Sequence, residues 1–345
     1  MTLWQLSLAL LVVYVQCTQW SSPACSDVNF AMKREIAKEF RQGNGFLLME
    51  HVHKAGGSTL CHLLKRSPSV RIKDDYNCNF RKGNWRSIPH NMSANELEAT
   101  LRNAHEGNFV ANEDAPFPAQ LRRKLFHPFG RKSNATSRWS FVTILRNPID
   151  RIVSHFKFEG LSYHYKDVSD WVKQSPFHTQ NFMVRKFASM YPPALPEEDI
   201  SKPNIHWGHL MDKSKDKNKF NSPSTLPAVT EDDFLKAKAV LSQFSVIVIL
   251  EWLSESAPLL GYYFDVPVLD LRSRDFKGIL DKESNSKFHR DDEKKRKAQP
   301  FYEYVASQNV YDLRLYEYAK NLTKCNIAGT YFEYGRKLVE LDRLR

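Results

Sequence analysis

Three stretches of the chain stay apolar over about the length of one strand: Phe46-Leu47-Leu48-Met49, Phe141-Val142-Thr143-Ile144-Leu145, and the run from Ser245 to Leu250. Short, without polar alternation and, in the second and third, β-branched, they predict strands buried on both faces, as in a parallel sheet. Asn108 to Asn112 reads as a fourth strand. Between these runs the apolar positions change to helical spacing. Leu60, Leu63 and Leu64 follow the first strand. A helix from Ser93 to about His105 carries a capping box with Glu96 and ends at Gly107. Pro118 starts a further helix through Arg122, Arg123 and Phe126, and Ile149 to Phe158 is helical with Pro148 in its first turn. Two short helical patterns occupy 170–190. Helices are also expected from Thr230 to about Phe244, Ser254 to Phe264 and Phe301 to Leu322. Strands alternating with helices predict an α/β fold, a central parallel sheet flanked by helices in a single domain. No internal repeat is found.

Two strand ends carry chemistry. The first strand runs through Glu50-His51-Val52-His53, turns at Lys54-Ala55-Gly56-Gly57-Ser58-Thr59 and enters a helix. Two glycines let the backbone approach an anion, the first-turn amides and helix dipole face it, and Lys54 adds a full charge. A packing turn alone is the bland alternative. A Walker loop is excluded, because it places Lys directly after the last Gly, whereas here Lys54 precedes the glycines. At the second strand end, Arg146-Asn147-Pro148 breaks into a helix that carries Arg151 and Ser154. Arg146 offers a fork to a phosphate and Ser154 a hydroxyl from the helix face. In an open parallel sheet ligands sit at the carboxyl ends of strands, which is where Glu113 and Asp114 fall.

The order His-Val-His-Lys-Ala-Gly-Gly-Ser-Thr at 51–59 resembles the 5′-phosphosulfate loop (H-x-P-K-T-G-G-T/S) of the Golgi-type, heparan-sulfate-like carbohydrate sulfotransferases, with His53 in place of Pro and Ala55 in place of Thr. Arg146 and Ser154 have the spacing of that family's 3′-phosphate segment, L-R-[DN]-P followed by Ser eight residues after the Arg. The resemblance implies a P-loop-like sulfotransferase fold and transfer of a sulfuryl group from 3′-phosphoadenosine-5′-phosphosulfate (PAPS) to a carbohydrate hydroxyl. It implies that Lys54 stabilises the leaving phosphate and that Lys54, Ala55, Gly56, Gly57, Ser58 and Thr59 hold the 5′-phosphosulfate. Arg146 and Ser154 would hold the 3′-phosphate. Glu113 is the expected general base, with Asp114 next in line. Lys287, His289 and Arg290, in the basic run from Ser284 to Lys297, are candidate nucleotide contacts. The chemistry requires no metal. His51 and His53 alternate on one strand face and resemble a metal pair, but no third ligand suggests itself, so a structural or acceptor-side role is expected.

Composition narrows the partner. A formal charge of +11, from 50 basic and 39 acidic residues, calls for an anionic partner, and no zinc-finger, RNA-binding or basic-heptad pattern points to nucleic acid. Arg66 to Pro89 interleaves Arg71, Lys73, Arg81, Lys82 and Arg86 with Tyr76, Phe80 and Trp85, suited to a glycan acceptor or to a solvated loop. The expected layout is 1–17 as signal peptide or short signal anchor, 18–45 as stem or a first packed helix, and 46–345 as the catalytic domain, with a polar insertion near 191–227. Leu3 to Val15 is too short for an ordinary membrane span and lacks a basic flank, so cleavage and anchoring both stand. Sequons at Asn91, Asn134 and Asn321 and the cysteine usage indicate the secretory pathway, as a Golgi lumenal or secreted protein. Cys25, Cys61, Cys78 and Cys325 allow three pairings; Cys61–Cys78 with Cys25–Cys325 is the one we expect. Two other function classes remain: a non-catalytic lumenal binder of anionic glycans, and a glycan kinase, which would need the Walker Lys that is absent.

Overall fold

A computed structural model describes residues 23–72, 78–79, 93–105, 107–113, 117–118, 121, 138–190, 227–256, 258–267 and 297–343. The apolar N-terminus, Asp114, Arg122 to Phe126, the 191–226 part of the polar insertion, Lys287, His289, Arg290, the sequons at Asn91 and Asn134, and most of the basic-aromatic loop lie outside these residues.

Four parallel strands form one sheet: β1 (Gly45–His51), β2 (Phe109–Asn112), β3 (Arg138–Leu145) and β4 (Val246–Ile249), in the order β2-β1-β3-β4. The unbroken apolar runs have a simple cause. Phe46, Leu48, Phe141, Leu145, Ile247 and Ile249 point into one core cluster, and the intervening Leu47, Met49, Val142, Ile144, Val246 and Val248 into another. Both faces are covered, so neither half of the alternation is polar.

Helix α1 (Phe30–Arg41) buries Ile36, Ala37 and Phe40, and α2 (Gly57–Leu64) buries Leu60, Leu63 and Leu64. The segment from 23 onward is therefore part of the fold, not a stem. The α3 helix (Ala94–His105) has the expected capping box, with Ser93 N donating to Glu96 Oε2 at 2.7 Å and Glu96 N to Ser93 Oγ at 3.2 Å. Further along lie α4 (Pro148–Phe158), α5 (Val168–Gln174), α6 (Phe182–Phe187), α7 (Glu231–Ser242), α8 (Pro258–Phe264), α9 (Tyr302–Ser307) and α10 (Val310–Arg343). Two expectations need correction. The helix expected over 254–264 is a single turn, Leu253–Ser256, followed by α8 from Pro258. The last helix runs well past Leu322, through Gly329, where a Cβ would lie 2.6 Å from Phe30 Cε1. The sequon at Asn321 falls inside α10, and Thr323 is buried with its hydroxyl donating to Ile247 O, so it is not a surface-loop acceptor.

Disulfides Cys25–Cys325 and Cys61–Cys78 are formed, in the expected pairing and in keeping with a secreted or lumenal protein. Among the described residues no helix is long and apolar enough to cross a membrane.

The strand order positions the site. From β1 the chain moves to β2 on one side, then crosses back to β3 on the other. The direction of winding reverses between β1 and β3, and their carboxyl ends open into the crevice where α/β sheets bind ligands. His51 pairs in register with Ile144, so the two strands end at nearly the same level.

Candidate functional site

The β1 chain turns directly into the crevice. Ala55 N donates to Val52 O at 3.0 Å, closing a turn in which Lys54 takes φ +64°. A side-chain-bearing residue in that region costs roughly 1–2 kcal/mol, strain that marks functional loops when it is kept. Gly56 caps α2 at φ +94°, and a Cβ on it would lie 3.0 Å from Leu250 Cδ1 and 3.1 Å from Ile144 Cδ1. The loop thus lies directly over the end of β3. Gly57 opens α2, where a Cβ would come within 1.8 Å of His51 Cδ2. The imidazole of His51 occupies the space that a side chain would need. Ala55 and Thr59 are buried, and Ser58 is exposed on the first turn.

The β3 chain ends in Arg146. Asn147 then caps α4, its Oδ1 accepting from Ile149 N at 3.0 Å, with Pro148 in the first turn. Asn147 N donates to Glu251 Oε1 at 2.8 Å, and Glu251 is held in turn by the Tyr316 hydroxyl at 2.7 Å. Arg146 is only 6% exposed, its Nε has no hydrogen-bond partner, and among the described residues no carboxylate pairs with it. Arg151 follows on α4. It is fully buried, donates to His178 O at 2.8 Å and stacks 4.6 Å from the Phe182 ring centroid. Burial pushes its pKa down to about 10, Asp312 opposing and Arg146 adding to the fall. Arg151 Nε and Nη1 have no hydrogen-bond partner either, and its charge adds to the positive potential around Arg146.

The two strand-end devices touch. The His53 ring lies 4.6 Å from that of His155 on α4, and Lys54 Nζ sits 3.2 Å from the Phe158 ring centroid on the same helix. Half-buried Ser154 lies on this helix, beside His155. Lys54 through Thr59, Arg146 and Ser154 are thus borne by two adjoining segments.

Glu113 stands at the end of β2 as expected, but its carboxylate is not free. His53 Nδ1 donates to Oε1 at 2.8 Å, Asn79 Nδ2 donates to Oε2 at 2.8 Å, and His51 Nδ1 lies 3.2 Å from Oε2. Cys61–Cys78 ties the segment bearing Asn79 to α2, which places that amide. Burial favours the neutral acid, yet His51, His53 and Asn79 together hold the carboxyl well below its usual range. So strongly stabilised an anion is a weaker base than a free carboxylate. His53 is pushed the other way: burial lowers its pKa, but the hydrogen bond to Glu113 and the Glu159 carboxylate 3.8 Å away outweigh that and raise it.

Comparison with protein-family models and with curated proteins finds no match for this chain. The site therefore stands on its own geometry.

Sequence reasoning missed three residues. His155 and Glu159 reach His53 from α4, and His178 packs on His155 with ring centroids 5.9 Å apart. His155 lies in the helix expected over 149–158 and Glu159 directly follows it, four residues on, a same-face pair that was readable. Their meeting with His53 depends on the adjacency of β1 and β3, which no local pattern carries.

Proposed function

We propose that the protein is a PAPS-dependent O-sulfotransferase of P-loop-like fold, which moves a sulfuryl group to a hydroxyl of a carbohydrate acceptor. One observation carries this reading. Two strand-to-helix turns flank the topological switch point, and one of them presents a buried Arg146 whose Nε lacks a hydrogen-bond partner. A buried guanidinium without a counterion calls for an anionic ligand.

In this reading the amides around Gly56 to Thr59 hold the 5′-phosphosulfate, and Arg146 with Ser154 hold the 3′-phosphate. Lys54 leaves the Phe158 ring to meet charge developing on the leaving phosphate. Sulfur changes partner from the bridging phosphate oxygen to the acceptor oxygen, and the acceptor gives up its proton. Glu113 is too weak a base to take that proton alone, so it fixes the Nδ1–H of His53, and Nε2 of His53 is the accepting atom. Phe158 at the end of α4 and Tyr163 in the turn that follows, 68% and 90% exposed, offer ring faces to a sugar. The disulfides fit a Golgi lumenal or secreted enzyme.

The test is calorimetry with 3′-phosphoadenosine-5′-phosphate against adenosine-5′-phosphate, on wild type and Arg146→Ala. Binding that needs the 3′-phosphate and falls about 10- to 100-fold in the variant supports the donor site. No preference for the 3′-phosphate would sink it. The engagement of Glu113 favours one rival, a binder of anionic glycans without catalysis. Transfer of labelled sulfate from PAPS to a glycan, lost in His53→Ala, separates the two.

A further inference from the structure

Beside the anion loop lies a cluster that donor binding does not use. Ligand-capable atoms of His53, His155 and Glu159 all lie within 4.8 Å of one another, and His53 Nε2 is 3.8 Å from Glu159 Oε1. His155 is 1% exposed, yet neither of its ring nitrogens has a hydrogen-bond partner, nor does His53 Nε2. Leaving a buried polar atom unpaired costs about 1–3 kcal/mol, and here three such nitrogens belong to two touching imidazoles. Aromatic packing explains why His155 is inside, against Trp171 and His178, but not why its nitrogens are left bare.

The geometry points to a divalent transition-metal site, of the zinc class, formed by His53 Nε2, a ring nitrogen of His155 and the Glu159 carboxylate. Two imidazoles and one carboxylate, with a fourth position open, match the donor set of such sites. His155 on α4 and Glu159 at its C-cap lie four residues apart, a spacing that puts both on one face. Glu113 supplies the outer shell. It accepts from His53 Nδ1 at 2.8 Å, which fixes the tautomer and turns Nε2 toward His155 and Glu159. Donors about 2.1 Å from a tetrahedral ion stand about 3.4 Å apart, so closure requires side-chain shifts of about 1 Å.

The surroundings cut both ways. Burial, together with the charges of His53, His178, Arg151 and Lys54, holds the His155 pKa well below its ordinary value, so its lone pairs stay available. Lys54 and Arg151 also repel a cation; the carboxylates of Glu159 and Glu113 offset them, and Asp312 faces Arg151. The site stands independently of the sulfotransferase reading. If both hold, a metal on Nε2 takes the lone pair that accepts the proton, so metal-loaded and transfer-competent states exclude each other.

The test is titration of the chelator-treated full chain with Co²⁺, followed by its visible absorption, and competition by Zn²⁺. Wild type should bind one Co²⁺ with the intense bands of a low-coordinate site and lose them to Zn²⁺. Glu159→Gln, at a half-buried position, should keep the thermal unfolding midpoint and bind at least about tenfold more weakly, the size of even an outer-shell loss. His155→Phe should abolish the bands; if it fails to fold, Glu159→Gln decides. Absence of stoichiometric binding, or equal binding by Glu159→Gln, overturns the site and leaves a packing cluster. Neither result touches the 3′-phosphate test, which reads Arg146 alone.

Discussion

Two buried polar groups stand at the carboxyl end of β1, and they are finished in opposite ways. On the β2 side Glu50 and Lys186, both at zero exposure, are 2.7 Å apart. Asn112 Nδ2 donates to both oxygens of Glu50, at 3.2 and 3.1 Å, and Lys186 Nζ donates also to Asn112 O and Glu113 O. On the β3 side Arg146 Nε, Arg151 Nε and Nη1, His53 Nε2 and both nitrogens of His155 have no hydrogen-bond partner. Depth is nearly the same. Taking an ion from water costs several kcal/mol, offset only where partners replace the water. The first cluster replaces it within the protein and so pins the end of β2, where Glu113 leaves the strand. The second leaves the replacement to something bound. Satisfaction, more than burial, separates scaffold from site.

The largest effect should come from opening the closed cluster. Lys186→Met strands the Glu50 carboxylate, and urea unfolding should show a loss of about 3–5 kcal/mol near neutral pH. The loss depends on pH with a definite sign. Burial raises Glu50 from 4.5 to about 7 even beside Lys186. The folded state therefore holds the proton more tightly, and the contribution of Glu50 to stability falls as pH rises from about 4.5 to 7. Without Lys186 the folded pKa rises further and that fall continues to higher pH, so the variant should be closer to wild type at pH 5 than at pH 8. A loss under about 1 kcal/mol at pH 8 would show that the pair is not what closes this side.

Opening the other side should affect ligands more than stability. Arg146→Ala, which costs the 3′-phosphate contact about 1.5–3 kcal/mol, should leave the unfolding midpoint unchanged or raised, because it removes a buried unpaired cation. A drop like that of Lys186→Met would make Arg146 scaffold. Gly57→Ala tests the hinge between the two clusters. A Cβ 1.8 Å from His51 Cδ2 forces the ring away from Glu113, and overpacking of this kind costs about 1–3 kcal/mol. Nucleotide binding should weaken with it, since the same residue opens α2.

How far the sequence could be read divides along the same line. The strands were legible because burial on both faces leaves an uninterrupted apolar run, and the cap at Ser93 because its partner Glu96 is local. The glycine turn after β1 was legible because glycines at 56 and 57 answer short-range demands. The state of Glu113 was not. It depends on His53, Asn79 and the Cys61–Cys78 bridge, which come together only after β1 and β2 pair. Glu50 with Lys186 was equally hidden, a pair far apart in sequence with no periodic signature. The break at Pro258 is local and went unread because the apolar spacing continues across it.

The smallest effect concerns His178, a buried histidine behind the open cluster. Burial, with the charges of His53 and Arg151, lowers its pKa from 6.5 to about 3. The folded chain keeps it neutral, whereas the unfolded chain takes a proton below 6.5, so its contribution to stability is lost as pH falls. Between pH 6.5 and 5.5 that amounts to about 1 kcal/mol. Glu50 and Asp312, both raised by burial, respond in the opposite direction over part of this range, so the wild-type profile alone mixes the three. The difference between wild type and His178→Gln isolates the histidine. Urea midpoints at the two pH values should show the variant losing about 1 kcal/mol less on acidification. An equal loss would mean that His178 is already protonated in the folded chain. It would then add a positive charge beside His155, and the open cluster would lose its claim to a cation.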